Sequence, residues 1–155
     1  MVKSSAGLLM YRIHEDNLEV FLVHPGGPYF AKKDKGAWTI PKGEPGPNEE
    51  ELSTAKREFE EETGIRPKGE FIELGSVTQK GGKRVIAWAF KGDCDPDKIR
   101  SNTFTIEWPP RSGKKQEFPE IDRAAWFTSD KAKTRINSAQ AAFIERLEQT
   151  LKRIS

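Results

Sequence analysis

Apolar and polar positions alternate between two rhythms along this chain, one of strands and one of helices. Ser4 to Ile13 and Leu18 to His24 are rich in branched and aromatic residues and flank the polar turn His14-Glu15-Asp16-Asn17, the pattern of a β-hairpin. Pro25-Gly26-Gly27-Pro28 breaks the sheet, and a lysine-bearing loop leads to Trp38-Thr39-Ile40, a short strand stopped by Pro41. Pro47-Asn48 followed by Glu49, Glu50 and Glu51 predicts a helix start, with Asn48 as N-cap and Glu51 at the capping-box position. Gly64 supplies its stop. Phe71 to Thr78 and Arg84 to Phe90 read as strands around Gly81-Gly82, and Thr103 to Trp108 as another, all antiparallel candidates. Pro109 to Glu120 reads as a loop, Ala124 to Phe127 as a short strand, and Ser129 to Arg135 as one or two helical turns. The chain closes on a helix that Asn137 caps with Gln140 at N3. Its apolar stripe is Phe143, Ile144, Leu147, Leu151 and Ile154, spacing that marks core packing.

Composition narrows the picture without naming a partner. A chain of 155 residues fits a single domain spanning 1–155. Its 26 Lys and Arg nearly cancel 24 Asp and Glu, so a net charge of +2 gives no footprint for nucleic acid or a membrane surface. Cys94 is the sole cysteine, which excludes an internal disulfide and makes an inert, buried thiol the simplest reading. The apolar patch from Ala6 to Tyr11 is too short for a signal segment, and no later run is long enough to span a bilayer. A soluble, cytoplasmic protein is expected.

The candidate chemistry lies on the first helix. From Glu49 to Glu62, Leu52, Ala55 and Phe59 share one side, while Glu58, Glu61 and Glu62 gather at i, i+3, i+4 on a neighbouring face. Like charges at such spacing each cost a helix roughly 0.2–0.5 kcal/mol, so the cluster calls for a compensating cation. Oxygen-only clusters suit hard ions such as Mg²⁺ or Mn²⁺, which bridge to phosphates. Arg57 is placed to hold one carboxylate by a forked hydrogen bond. On the helix alone, a solvated acidic face explains the pattern as well.

The longer segment separates these readings. Gly43, five residues, Glu49, seven residues, then Arg57-Glu58-Phe59-Glu60-Glu61-Glu62-Thr63-Gly64-Ile65 resembles the Nudix box at every specified position. The resemblance implies an α/β fold, an α/β/α sandwich with a mixed sheet, a loop-helix-loop catalytic motif and a C-terminal helix. It implies a divalent cation, Mg²⁺ or Mn²⁺, held by Glu58, Glu61, Glu62 and the carbonyl of Gly43. Members differ in which glutamate activates water; Glu58 is taken here as the base, with Arg57 beside it and Glu49 as a brace. Glu120, six residues before Trp126, stands where many members place a loop glutamate, with Glu117 as the competing choice.

For the substrate, Trp38-Thr39-Ile40-Pro41-Lys42-Gly43 resembles the segment that leads into the box of dinucleoside polyphosphate hydrolases. Lys42 would meet a phosphate there, and Lys83, with Lys32, Lys33, Lys35, Lys80 and Arg84, would extend a phosphate-attracting rim. Tyr29 and Phe30 either stack on a nucleobase or anchor their loop. The tyrosines, Tyr11 and Tyr29, both precede the box, so the downstream tyrosine common in the diadenosine polyphosphate group has no counterpart. The expected reaction is cleavage of a phosphoanhydride in a nucleoside diphosphate derivative, a dinucleoside polyphosphate such as diadenosine tetraphosphate first. A nucleoside triphosphate pyrophosphatase, a messenger-cap pyrophosphatase and a non-catalytic nucleotide-binding module are the alternatives. The expected partner is a small nucleotide, with no nucleic acid and no membrane.

Overall fold

The computed structural model describes residues 3–154, with the backbone alone for Ile154. The first hairpin forms as the pattern predicts: β1 (Ser4–His14) pairs antiparallel with β2 (Asn17–Pro25), from Tyr11 opposite Val20 to His14 opposite Asn17. Its turn residues Glu15 and Asp16 take φ of 51° and 66°. Two successive left-handed residues make a turn whose twist matches that of the strands. Beyond Tyr11 in the other direction β1 leaves β2 and accepts β3 (Lys42–Gly43), with Ala6 opposite Gly43 and Gly7 opposite Lys42.

After α1 (Glu51–Thr63) the chain makes β4 (Ile72–Thr78) and β5 (Arg84–Lys91), an antiparallel pair. β5 then runs parallel to β1 over its length, from Ser4 opposite Arg84 to Tyr11 opposite Lys91. After β6 (Thr103–Glu107) and β7 (Lys115–Pro119), β8 (Ile121–Thr128) closes the other edge against β2, giving a mixed sheet in the order β4-β5-β1-β2-β8. α2 (Ser129–Arg135), a 3-10 turn (Ser138–Gln140) and α3 (Ala141–Ile154) follow.

β1 is buried from Ser5 to Tyr11 because both faces of the sheet are covered. Leu9, Tyr11, Val20 and Leu22 pack with Phe143, Ile144 and Leu147 of α3, while Leu8, Met10, Phe21 and Val23 pack with Ala55 and Phe59 of α1. The stripe predicted on α3 is therefore core for Phe143, Ile144 and Leu147; the Ile154 side chain lies outside the described residues. Cys94 is half-buried, and burial, with Asp93 beside it, pushes its thiol up to about 11, so it stays protonated and inert.

Four expectations need correction. The helix starts at Glu51, and Glu50, not Asn48, is the N-cap, without a side-chain cap; Asn48 instead turns the loop at φ 59°. Trp38 to Ile40 forms isolated bridges, Thr39 with Val23 and Trp38 with Ile136, while the strand proper is Lys42–Gly43. The expected loop Pro109 to Glu120 contains β7, which pairs with β6 from Thr103 opposite Pro119 to Glu107 opposite Lys115. With Phe118 as its one large apolar residue, β7 offers no period to read. Gln140 is not a capping-box residue: it is buried and its side chain bonds across to the loop before β3.

Candidate metal and nucleotide site

The loop after β3 and the first turns of α1 are locked by one arginine and one glutamate. Glu49 Oε1 accepts from Gly46 N–H (2.9 Å), Thr54 Oγ1 (2.7 Å) and Arg57 Nη2 (2.9 Å), and its Oε2 accepts from Arg57 Nε (2.9 Å). The fork with Arg57, then the Gly46 amide and Thr54 hydroxyl, hold the Glu49 carboxyl far below its ordinary range. Glu49 braces the loop. Arg57 also donates from Nη1 to Glu58 Oε1 (2.9 Å) and to Glu61 Oε2 (3.2 Å), so the acidic face is partly neutralised from within.

Gly43 is fixed by close approach. A Cβ there would overlap the carboxylate of Glu58, so β3 can lie against α1 only with glycine at this position. The Gly43 backbone and the Glu58 carboxylate thus lie in close contact. Burial raises the Glu58 pKa against the opposing pull of Arg57. Glu62, 8% exposed, is the more constrained acid: burial, then repulsion from Glu58, push it up to about 8, while the Lys42 amide pulls the other way. Its Oε2 is buried without a hydrogen-bond partner. Glu120, just after β7, lies near enough to repel the charged forms of both Glu58 and Glu62. Glu117 is exposed on β7 across from Thr105.

An orphaned buried carboxylate oxygen among three acids fits a hard divalent cation, which would remove both the desolvation and the repulsion. Glu58 and Glu62 adjoin the space it would take, and the Gly43 backbone lies against the Glu58 carboxylate. Glu61 is more exposed (41% of its side chain) and turned to Arg57; among the described residues no three acids stand in ready coordinating geometry.

Lys42 is half-buried at the rim of the cluster. Burial and neighbouring Lys83 lower its pKa, and Glu62, Glu44 and Glu58 oppose them, so Lys42 borders the acids and Lys83 stands next to Lys42. Tyr29 stands apart: its ring is 61% exposed and lies edge-on to Trp108 at 5.4 Å, bracing its loop on the β6–β7 hairpin. The structure thus gathers Lys42, Gly43, Arg57, Glu58, Glu61, Glu62, Lys83 and Glu120, with Tyr29 outside the group. Beside Lys42 opens a cavity of 170 Å³ bordered by Phe30, Thr39, Gln79, Asn137 and Gln140. Sequence reasoning missed its amides, because Gln79 lies on one segment and Asn137 and Gln140 on another, and the two share no pattern. Two larger clefts, of 460 and 410 Å³, lie along β8 and between the β1–β2 turn and α3, and neither includes an acid of the cluster.

Fold and site together define a class: an acidic loop–helix–loop mounted on a mixed sheet with helices on both faces. The NUDIX domain model matches residues 2–147, and the chain belongs to that family. A rat protein named bis(5′-nucleosyl)-tetraphosphatase (asymmetrical) is 44% identical over 57 residues, covering 33% of this chain and 39% of the rat protein. The fold is shared with a Caenorhabditis elegans Ap4A hydrolase in a binary complex (TM-score 0.69, 23% identity, covering 97% of this chain and 98% of that one). It is also shared with the NUDIX domain of Shewanella oneidensis NrtR complexed with ADP ribose (TM-score 0.67, 15% identity, covering 97% and 89%). Among the described residues no helix is long and apolar enough to cross a membrane.

Proposed function

We propose that this chain is a divalent-metal-dependent Nudix hydrolase that cleaves a phosphoanhydride in a nucleoside diphosphate derivative, a dinucleoside polyphosphate such as diadenosine tetraphosphate first. The observation that carries the proposal is the buried, unpartnered Glu62 oxygen beside Glu58 and Glu120, an arrangement that is costly unless a cation joins it. Mg²⁺ or Mn²⁺, held by Glu58, Glu61, Glu62 and the Gly43 carbonyl, would neutralise phosphate oxygens and acidify water.

The chain's own residues supply the rest. Glu58 accepts the proton of the attacking water on its carboxylate, which Arg57 holds in place through Nη1. Glu120 stands across the cluster as a second acceptor for water. Lys42 and Lys83 meet substrate phosphates at the rim, and Tyr29 remains available only at the outer end of the loop. The dinucleotide choice rests on the Trp38 to Gly43 segment and on the local likeness to the rat tetraphosphatase. A nucleoside triphosphate pyrophosphatase is the second reading, favoured by the position of both tyrosines before the box.

A panel of nucleotides and dinucleotides with Mg²⁺ or Mn²⁺, resolved by chromatography, tests this directly. Diadenosine tetraphosphate should be cleaved to mononucleotides, and Glu62→Gln should lower kcat/KM by roughly 10²–10³-fold, the scale of losing one transition-state electrostatic contact. Cleavage that survives Glu62→Gln unchanged, or that needs no metal, would show the site to be wrong.

A further inference from the structure

His24, near the end of β2, is fully buried, and the proposed reaction does not use it. Just past it the pairing of β2 with β8 slips by one residue, from His24 opposite Arg123 to Pro25 opposite Ile121. Asp122 is thereby the extra residue of a β-bulge, a device that re-aims the neighbouring chain. Glu120 immediately precedes β8, two residues from Asp122, and its backbone is pinned twice. Its N–H donates to the Asn102 carbonyl and its carbonyl accepts from Gly26 N–H, both at 2.8 Å. Gly26 permits this approach, because a Cβ there would overlap the Pro119 carbonyl oxygen.

The His24 ring ties the bulge to the loop that follows β2. Nε2 lies 2.6 Å from the carbonyl oxygen of Lys33, and Nδ1 lies 2.7 Å from Oδ1 of Asp122. A carbonyl only accepts, so Nε2 carries a hydrogen. A neutral imidazole would then have a bare Nδ1, and it would meet the carboxylate as acceptor against acceptor. The pair therefore holds one further proton between Nδ1 and Oδ1. A histidine that only filled the core would need no such proton. The other charged groups around the ring have partners of their own. Asp34 in the loop accepts from Trp38 Nε1 at 2.7 Å and pairs with Arg135 of α2 at 2.9 Å. Arg123 lies over the Trp38 ring and is 3.9 Å from Asp122. Trp38 itself stands edge-on to His24 at 5.3 Å.

We propose that His24 is a positioning residue for the hydrolysis. Through the proton it shares with Asp122 it clamps the β8 bulge to the loop at Lys33, and so holds Glu120 in place near Glu58 and Glu62. The inference rests on the reading of Glu120 as an acceptor for water in a metal-dependent hydrolase. Of the two bonds, the one to Asp122 acts on Glu120, and the one to Lys33 anchors the loop.

Two amide side chains separate these bonds. Asn matches the reach of Nδ1 and Gln that of Nε2, so His24→Asn keeps a donor for Asp122 and His24→Gln keeps one for Lys33. Both remove a buried ring, and both should lower Tm. Only His24→Gln should lower kcat, by about 10–100-fold with KM nearly unchanged, the scale of misplacing a reacting group by about 1 Å. His24→Asn should retain kcat within about threefold on the best substrate of the nucleotide panel. The Asp122 side chain is partly exposed, so its variants spare the core. Asp122→Ala should reproduce the loss seen in His24→Gln. Asp122→Asn, whose NH₂ can donate to a bare Nδ1, should restore kcat. In a Glu120→Gln background, His24→Gln should cost no more than about a further twofold, because both changes act on one acid.

Amide hydrogen exchange reads the same clamp without turnover. The Gly26 and Glu120 amides should exchange about tenfold faster in His24→Gln and Asp122→Ala than in His24→Asn. Equal losses of kcat in His24→Asn and His24→Gln, losses that multiply with Glu120→Gln, a Glu120→Gln change without effect on kcat, or unchanged exchange at Gly26 and Glu120 would each overturn the inference. Should the His24 variants not fold, Asp122→Ala against Asp122→Asn carries the same contrast. If the unaltered chain cleaves no nucleotide, the hydrolase reading fails, and the exchange rates alone decide whether His24 holds Glu120.

Discussion

α1 and α3 cover opposite faces of one sheet and spend their surfaces differently. α3 buries Phe143, Ile144 and Leu147 completely, donates from Arg146 to the carbonyls of Leu74 and Ser76 on β4, and carries Lys152 and Arg153 in its last turn. Cations there complement the helix dipole. α1 buries Ala55 and Phe59, but its last turns hold Glu58, Glu60, Glu61 and Glu62 with no basic residue in the last turn, the unfavourable end of the dipole for acids. One helix is consistent with the fold at every level, and the other departs from it at the residues that form the candidate site. Such local conflict is where function is expected in a stable domain.

The sharpest way to break this comparison is to damage α3. Phe143→Ala should cost about 3–5 kcal/mol of stability, the range for emptying an aromatic core position. The fall would be read as a lower Tm, or a lower urea midpoint with unchanged slope. Turnover per folded molecule should stay unchanged well below the new Tm. A loss of turnover there would mean that the two faces of the sheet are coupled rather than divided in labour.

The second test concerns the acid that α1 buries. Glu62 has a folded pKa of about 8 against an ordinary value near 4.5. A carboxyl raised on folding contributes stability below its unfolded pKa and loses it as pH rises through the folded pKa. Metal-free protein should therefore weaken between about pH 5 and pH 8, by roughly 1 kcal/mol per pH unit at the steepest. The raised Glu58 acts in the same direction. Glu62→Gln should flatten that slope, and Mg²⁺ should raise Tm more at pH 8 than at pH 6, because the ion replaces the proton. A Tm independent of pH over this window in metal-free protein would deny Glu62 its buried, unpaired state.

The same division explains which features were legible in the sequence. Gly64 ends α1 at φ 79°, with its N–H on the Glu60 carbonyl, and the Gly43 to Ile65 spacing located the acidic face, because each depends on residues close in sequence. The capping residue was misplaced because Glu49 is drawn into the Arg57 and Thr54 network, which turns the loop at Asn48 and delays the helix. β7 was missed because its pairing with β6 is carried by backbone hydrogen bonds, to which Lys115, Gln116 and Glu117 contribute no apolar rhythm. The parallel pairing of β1 with β5 joins residues about 80 positions apart, and both strands read as buried at either parity, so no local pattern distinguishes it. The amide cavity depends on Gln79, Asn137 and Gln140 meeting through the tertiary fold alone.

The smallest effect falls on charge pairs, and it sharpens the contrast between the helices. Lys133 on α2 donates to Glu148 on α3 at 2.6 Å, with both side chains about a quarter exposed. An isolated pair at that exposure is worth roughly 0.2–1 kcal/mol. Lys133→Gln should therefore shift Tm by a few degrees at most, with the shift shrinking in high salt and kcat unchanged. Arg57 touches four partners, Glu44, Glu49, Glu58 and Glu61, and one of them, Glu58, is the acid that repels Glu62. Changing it to Gln would free Glu58 and Glu61 together, so its cost would appear in kcat/KM. If Lys133→Gln lowered kcat/KM as well, the charges of α3 would belong to the site, and the separation between the two helices would no longer hold.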